Sequence, residues 1–138
     1  MRAGACRTEA AGEQDEFNFR MGYSAYMSDD YEAAARAFFS VKDGNSKYAT
    51  AAQYFYAHMS YVNEKYETAL TEFLKLRGSE AFGPVIPYYI TQIYYKQGKY
   101  DEVLKYAPRA IDSVNAKSGL EISRMVAESF YRKGNYKE

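Results

Sequence analysis

Apolar positions along this chain recur every three to four residues and are interrupted, at nearly constant intervals, by short polar turns ending in tyrosine. The segments 17–27, 50–62, 85–96 and 120–133 each carry apolar side chains at i, i+3, i+4 and i+7, the period of a helix and not of a strand. Each is followed by a turn: Ser-Asp-Asp-Tyr at 28–31, Asn-Glu-Lys-Tyr at 63–66, Gln-Gly-Lys-Tyr at 97–100 and Lys-Gly-Asn-Tyr at 133–136. The turn tyrosines Tyr31, Tyr66, Tyr100 and Tyr136 stand 35, 34 and 36 residues apart. After the first three turns a second helical pattern begins, at 31–41, 66–76 and 100–111, with Tyr31, Ala34, Ala35, Phe38 and Val41 marking one continuous face. The unit is therefore a helix, a tight turn and a second helix, repeated about every 34 residues.

The punctuation between patterns agrees with this unit. Asp30 precedes Tyr31, where its carboxylate can accept from the exposed amides of a helix start. Gly98 and Gly134 can adopt the left-handed conformation that closes a helix without a Cβ clash. Gly44-Asn45-Ser46 and Gly83-Pro84 separate successive units. Pro84 and Pro87 suit a first helical turn, whereas Pro108 falls inside a second helix and predicts a kink near Leu104. Residues 1–14 are small and polar without apolar periodicity, which predicts a flexible tail, or an extension of the first helix, ahead of an array over 15–138. Its units run about 15–47, 48–82, 83–117 and 118–138, the last one truncated.

These residues resemble the tetratricopeptide repeat (TPR) family over about residues 17–138. The small residue at the close approach of the two helices matches as Gly22, Ala57 and Ala127, with Thr91 a departure. The small residue of the second helix matches as Ala34 and Ala69, with the bulkier Val103 in the third unit. The aromatic that packs on the next unit matches as Phe38 and Phe73, with Ala107 departing. A Trp often found in the first helix and a Pro that often closes the unit are both missing. The resemblance implies an all-α fold, a right-handed α-α superhelix of antiparallel helix pairs. Pentatricopeptide units, which read single-stranded RNA, would need a basic groove. HEAT units, at about 40–47 residues, are too long for the spacing.

In TPR arrays the first helices line a concave face that takes peptide ligands. Projected onto this chain, that face carries Phe19, Tyr23 and Tyr26 in the first unit and Tyr54, His58 and Tyr61 in the second. The third unit adds Tyr88, Gln92 and Tyr95, and the fourth Arg124, Glu128 and Tyr131. One tyrosine recurs at the equivalent place in every unit: Tyr26, Tyr61, Tyr95 and Tyr131. Tyrosine offers apolar area and a hydroxyl at small entropic cost, which suits a binding surface, but a recurring Tyr at helical spacing equally suits packing against a neighbouring helix. The cationic clamp for C-terminal carboxylates is not built here. Phe19, Tyr23, Phe55, Val85 and Tyr89 stand where such a clamp needs Lys, Arg and Asn donors. The expected ligand is accordingly an apolar or aromatic-bearing peptide or a helix. The expected role is a protein–protein interaction scaffold, as against a spacer segment of a longer array or a regulatory domain of an enzyme outside this chain.

Composition narrows the alternatives. The chain has 138 residues, 18 basic and 18 acidic side chains, one His, one Cys and no Trp, with 16 Tyr and 8 Phe. Balanced charge predicts no nucleic-acid or anionic-lipid partner. A single Cys leaves neither a disulfide nor a Cys-based zinc site, and no Gly-rich phosphate loop or HExxH pattern is present, so no cofactor and no metal are expected. His58 is the lone His, remote in sequence from Cys6, and acidic pairs such as Asp29-Asp30 and Asp101-Glu102 sit at helix starts where the dipole favours them. No catalytic residue is expected. No export signal is legible, since only five residues precede Cys6. As written, the sequence suggests a cytoplasmic protein, while Tyr-rich bacterial arrays of similar texture are often envelope or periplasmic proteins. The sequence stops mid-motif at Glu138, which predicts an exposed apolar face around Val126, Ala127 and Phe130. Such a face calls for a partner or for the remainder of a longer array.

Overall fold

The computed structural model describes residues 2–113 and 116–134. The described residues form seven α-helices and no strand: α1 (Arg2–Met27), α2 (Tyr31–Lys42), α3 (Ala49–Val62), α4 (Tyr66–Lys75), α5 (Ile86–Lys96), α6 (Tyr100–Ser113) and α7 (Ala116–Gly134). A single 3-10 turn, Gly83–Val85, leads into α5 with Pro84 in its first turn. The chain is all-α and divides into two compact units, residues 1–72 and 73–138, with the division inside α4. Helix α1 reaches back to Arg2, in line with the reading of residues 1–14 as an extension of the first helix. Four alanines with Arg, Glu and Gln give that stretch helix-forming composition despite its lack of an apolar face.

The three inner turns are built alike. Asp29, Glu64 and Gly98 occupy the left-handed region at φ of 61°, 63° and 72°. In each case that residue's amide donates to the carbonyl three back (Tyr26, Tyr61, Tyr95), and the next amide donates to the carbonyl five back (Ala25, Ser60, Tyr94), at 2.8–3.0 Å. This is the Schellman closure, which satisfies carbonyls a helix end leaves without partners. The following helix then starts with Ala34, Ala69 and Val103 donating to Asp30, Lys65 and Lys99. At the first turn the Asp30 carboxylate also accepts from the Ala33 amide at 3.1 Å, the N-cap read from sequence. Gly134 is still helical at the end of α7, and the fourth turn tyrosine, Tyr136, lies outside the described residues.

In the first unit α1 packs on α2 and α2 on α3. The core between them holds Ala34, Phe38, Val41, Ala52 and Met59, all without solvent exposure. Phe38 stacks on Phe55 with centroids 5.2 Å apart, and Phe19 meets Phe38 edge-on at 5.6 Å. A Cβ on Gly22 would lie 2.8–2.9 Å from the Phe38 ring, so at this position the helices approach too closely for any side chain. Ala57, at the corresponding place of α3, is also fully buried.

In the second unit α5 packs on α6, and α7 on both. Its core is Val103, Ala107, Ala110, Ile122 and Met125. Phe73 stacks on Tyr89 at 4.8 Å with the rings nearly parallel, 35 and 34 residues on from the Phe38–Phe55 pair. The repeat thus extends from sequence to side-chain geometry. Two departures have local explanations. Thr91 fills the close-approach position by turning its hydroxyl back to the Pro87 carbonyl at 2.7 Å, and it is fully buried. Ala107, where an aromatic would stand, shares its core with the larger Met125. Helix α6 runs unbroken through Pro108, whose ring is on an exposed position.

Candidate functional site

The face projected from the first helices is described separately in the two units. In the first, Phe19 is half-buried. Its ring lies against Phe38, Tyr48 and Phe55 at centroid distances of 5.2–6.0 Å, packed on the core from outside. Tyr23, 49% exposed, opens toward solvent beside Tyr26. Phe19, Arg20, Tyr23, Ser24, Met27 and Tyr48 line an open depression of about 510 Å³ on α1, so the structure does bring Phe19 and Tyr23 together at one surface. On α3, Tyr54 and His58 are half-buried with parallel rings 6.4 Å apart. Burial lowers the His58 pKa below 6.5, so the imidazole is neutral at pH 7.

The recurring tyrosines have a structural occupation. Tyr26 lies against Tyr31, Tyr61 against Tyr66 and Tyr95 against Tyr100, with centroids 5.9, 5.8 and 6.3 Å apart. Each pair bridges one Schellman turn, joining the last turn of the first helix to the first residue of the second. All six rings are half-buried. The Tyr31 hydroxyl further donates to Asp29 at 3.0 Å, which raises its pKa by hydrogen bond and charge. Tyr131, the fourth of the series, is 65% exposed.

In the second unit the polar groups converge at Tyr88. Its hydroxyl donates to Glu121 of α7 at 2.7 Å and accepts from Gln92 at 2.9 Å. Burial and the Glu121 carboxylate push the Tyr88 pKa up to about 12, so the phenol stays a proton donor at any physiological pH. Arg124 is exposed, and Glu128 is half-buried and paired with Arg132 at 3.5 Å. The two expected residues Tyr88 and Gln92 are therefore bonded directly to each other, and Tyr88 also to a third, Glu121, that periodicity alone did not select.

A second surface, on the second-helix side of the first unit, was not anticipated. Phe39, 55% exposed, and Tyr56 lie 5.4 Å apart between two shallow pockets of about 320 and 470 Å³. Beneath them the Lys42 ammonium pairs with Glu72 at 2.6 Å and Asp43 at 3.0 Å, and stands 5.1 and 5.4 Å from the Phe39 and Tyr56 ring centroids. Burial lowers the Lys42 pKa, but the two carboxylates outweigh it and hold it above the ordinary value. The signal available in sequence was the doublet Phe38-Phe39. Adjacent helical residues point about 100° apart, so one ring of the two had to leave the core. Among the described residues no group of three or more His, Cys, Asp or Glu side chains converges so as to hold a metal ion. No described helix is long and apolar enough to cross a membrane.

No protein-family model matches this chain, and no curated protein matches it as a relative.

Proposed function

We propose that this chain is a tetratricopeptide-type array, a superhelix of antiparallel helix pairs, and that it serves as a protein–protein interaction scaffold. On this reading it takes a peptide or helical segment along its first-helix face. The observation that carries the repeat reading is the threefold recurrence of one turn, with the same left-handed residue, the same two backbone bonds and the same tyrosine pair at 34- and 35-residue spacing. Support for binding comes from exposed residues on the first helices, Tyr23 in the first unit and Arg124 and Tyr131 in the second. Aromatic and Arg side chains of this kind concentrate binding energy at interfaces. The ligand class is protein or peptide, and the balanced charge argues against nucleic acid.

A spacer role is the second reading, and the tyrosine pairs favour it, because Tyr26, Tyr61 and Tyr95 each give one face to holding a turn. Peptide-display selection on the immobilised chain separates the two. Peptides enriched on the wild type should bind saturably in calorimetry. They should bind about tenfold or more weakly to a Tyr23→Ala, Arg124→Ala, Tyr131→Ala variant of unchanged helicity. Failure to enrich any peptide, or equal binding to the variant, would favour the spacer.

A further inference from the structure

The hairpin does not require an aromatic side chain at position 39. Phe38 fills the core, and in the later hairpins the place of Phe39 is taken by Leu74 and Pro108. Phe39 nevertheless stands 55% exposed with the Tyr56 ring 5.4 Å away, an aromatic surface open to solvent. On one side of this pair lies the depression of about 470 Å³, a volume within the range of ligand pockets. Glu32, Arg36, Phe39, Tyr56, Asn63 and Lys65 line it. These residues come from α2, α3 and the turn into α4, all within the first unit.

The charges around the depression select the guest. Arg36 and Lys65 are exposed, and among the described residues neither side chain takes part in an ion pair or a hydrogen bond. Glu32, one turn ahead of Arg36 on α2, does not pair with it and leaves the lining a net charge of +1. Lys42, beneath the two rings, is already committed to Glu72 and Asp43. A cationic guest would enter beside three positive groups, whereas one carboxylate between Arg36 and Lys65 neutralises the lining. A phosphate dianion beside Glu32 would overshoot that neutrality. The Asn63 side-chain amide makes no hydrogen bond among the described residues and offers one donor group and one acceptor, the complement of a peptide group. We propose that this depression binds a partner peptide through one acidic side chain, its carboxylate between Arg36 and Lys65. The adjacent residue of that peptide is aromatic and lies against Phe39 and Tyr56, and its backbone meets Asn63. The site shares no residue with the first-helix face, so peptide display on that face can fail and leave this inference standing.

The probes are end-capped tetrapeptides, Gly-Glu-Phe-Gly, Gly-Gln-Phe-Gly and Gly-Lys-Phe-Gly, titrated at fixed ionic strength into the isotope-labelled 138-residue chain and followed by NMR. With the glutamate peptide, saturable shifts of the Arg36, Phe39, Tyr56, Asn63 and Lys65 amides are expected at a Kd of about 1 mM. The glutamine peptide should bind about threefold or more weakly, and the lysine peptide more weakly still. Arg36→Gln combined with Lys65→Gln changes two exposed side chains and should erase the preference for glutamate over glutamine. Phe39→Ser should weaken both of those peptides by about threefold or more, in a chain whose fold is checked by circular dichroism. Absence of saturable shifts up to about 10 mM, equal binding of the glutamate and glutamine peptides, or a preference that survives the double charge variant would overturn the proposal. Tighter binding of a Gly-phosphoserine-Phe-Gly peptide would assign the cations to phosphate and overturn it as well. Shifts of the same amides on diluting the chain alone would assign the surface to a second copy, with the same consequence.

Discussion

At residue scale the turns expose a local conflict. Glu64 holds a φ of 63° that a side chain with a Cβ disfavours by about 1 kcal/mol, while Gly98 meets the same requirement at 72° with no Cβ. Asp29, at 61°, is compensated by the hydrogen bond from Tyr31, a type of compensation suited to its short carboxylate. Glu64→Gly should therefore raise stability by about 0.5–1 kcal/mol, and Gly98→Ala should lower it by about 1 kcal/mol, both measured by urea denaturation. If the two substitutions shifted the midpoint in the same direction, the shared turn geometry would be wrong. His58 offers a second test. Its folded pKa is depressed by burial, so as pH falls through 6.5 the unfolded chain takes up a proton before the folded chain does. The stability due to neutral His58 is complete above 6.5 and is lost below it, toward the folded pKa. His58→Gln should flatten part of the decline in melting temperature between about pH 7.5 and about pH 5.5, and a decline of unchanged steepness would count against a desolvated imidazole.

At the scale of elements, the helices were legible because an apolar stripe of period 3.6 and three nearly identical turns are properties of contiguous residues. Asp30 as a cap and Gly98 as a left-handed closure could be read directly. The start of α1 could not, since residues 2–14 have helical composition without a stripe, and periodicity is silent there. Nor could the ion pair between α2 and α4: Lys42 and Glu72 stand 30 residues apart in sequence, and both read as surface charges in a helical pattern. With both side chains under one-tenth exposed, removing Glu72 leaves the Lys42 ammonium, in a poorly solvated place, with the exposed Asp43 as its one paired carboxylate. Glu72→Gln should cost about 3 kcal/mol in chemical denaturation, whereas Lys42→Met combined with Glu72→Leu should be close to neutral. Equal losses in the single and double variants would show that packing, and not charge, governs the site.

For the whole molecule, neutrality and the absence of a metal or phosphate motif were compositional facts that already directed attention to peptide and protein ligands. The chain alone determined its helices, its hairpin unit and its repeat length, because hydrogen bonding within a helix and its caps depends on neighbours within about five residues. It also indicated which first-helix residues share a face. Tertiary structure decided how each of those side chains is used. It packed one side of Phe19 against the core, committed Tyr26, Tyr61 and Tyr95 to the turn tyrosines, joined Tyr88 and Gln92 to Glu121, and left Ala127 and Phe130 on the surface of α7. Residue type and periodicity place a side chain on a helix face, but burial depends on whether another helix lies across that face, and that is settled only when distant segments pack.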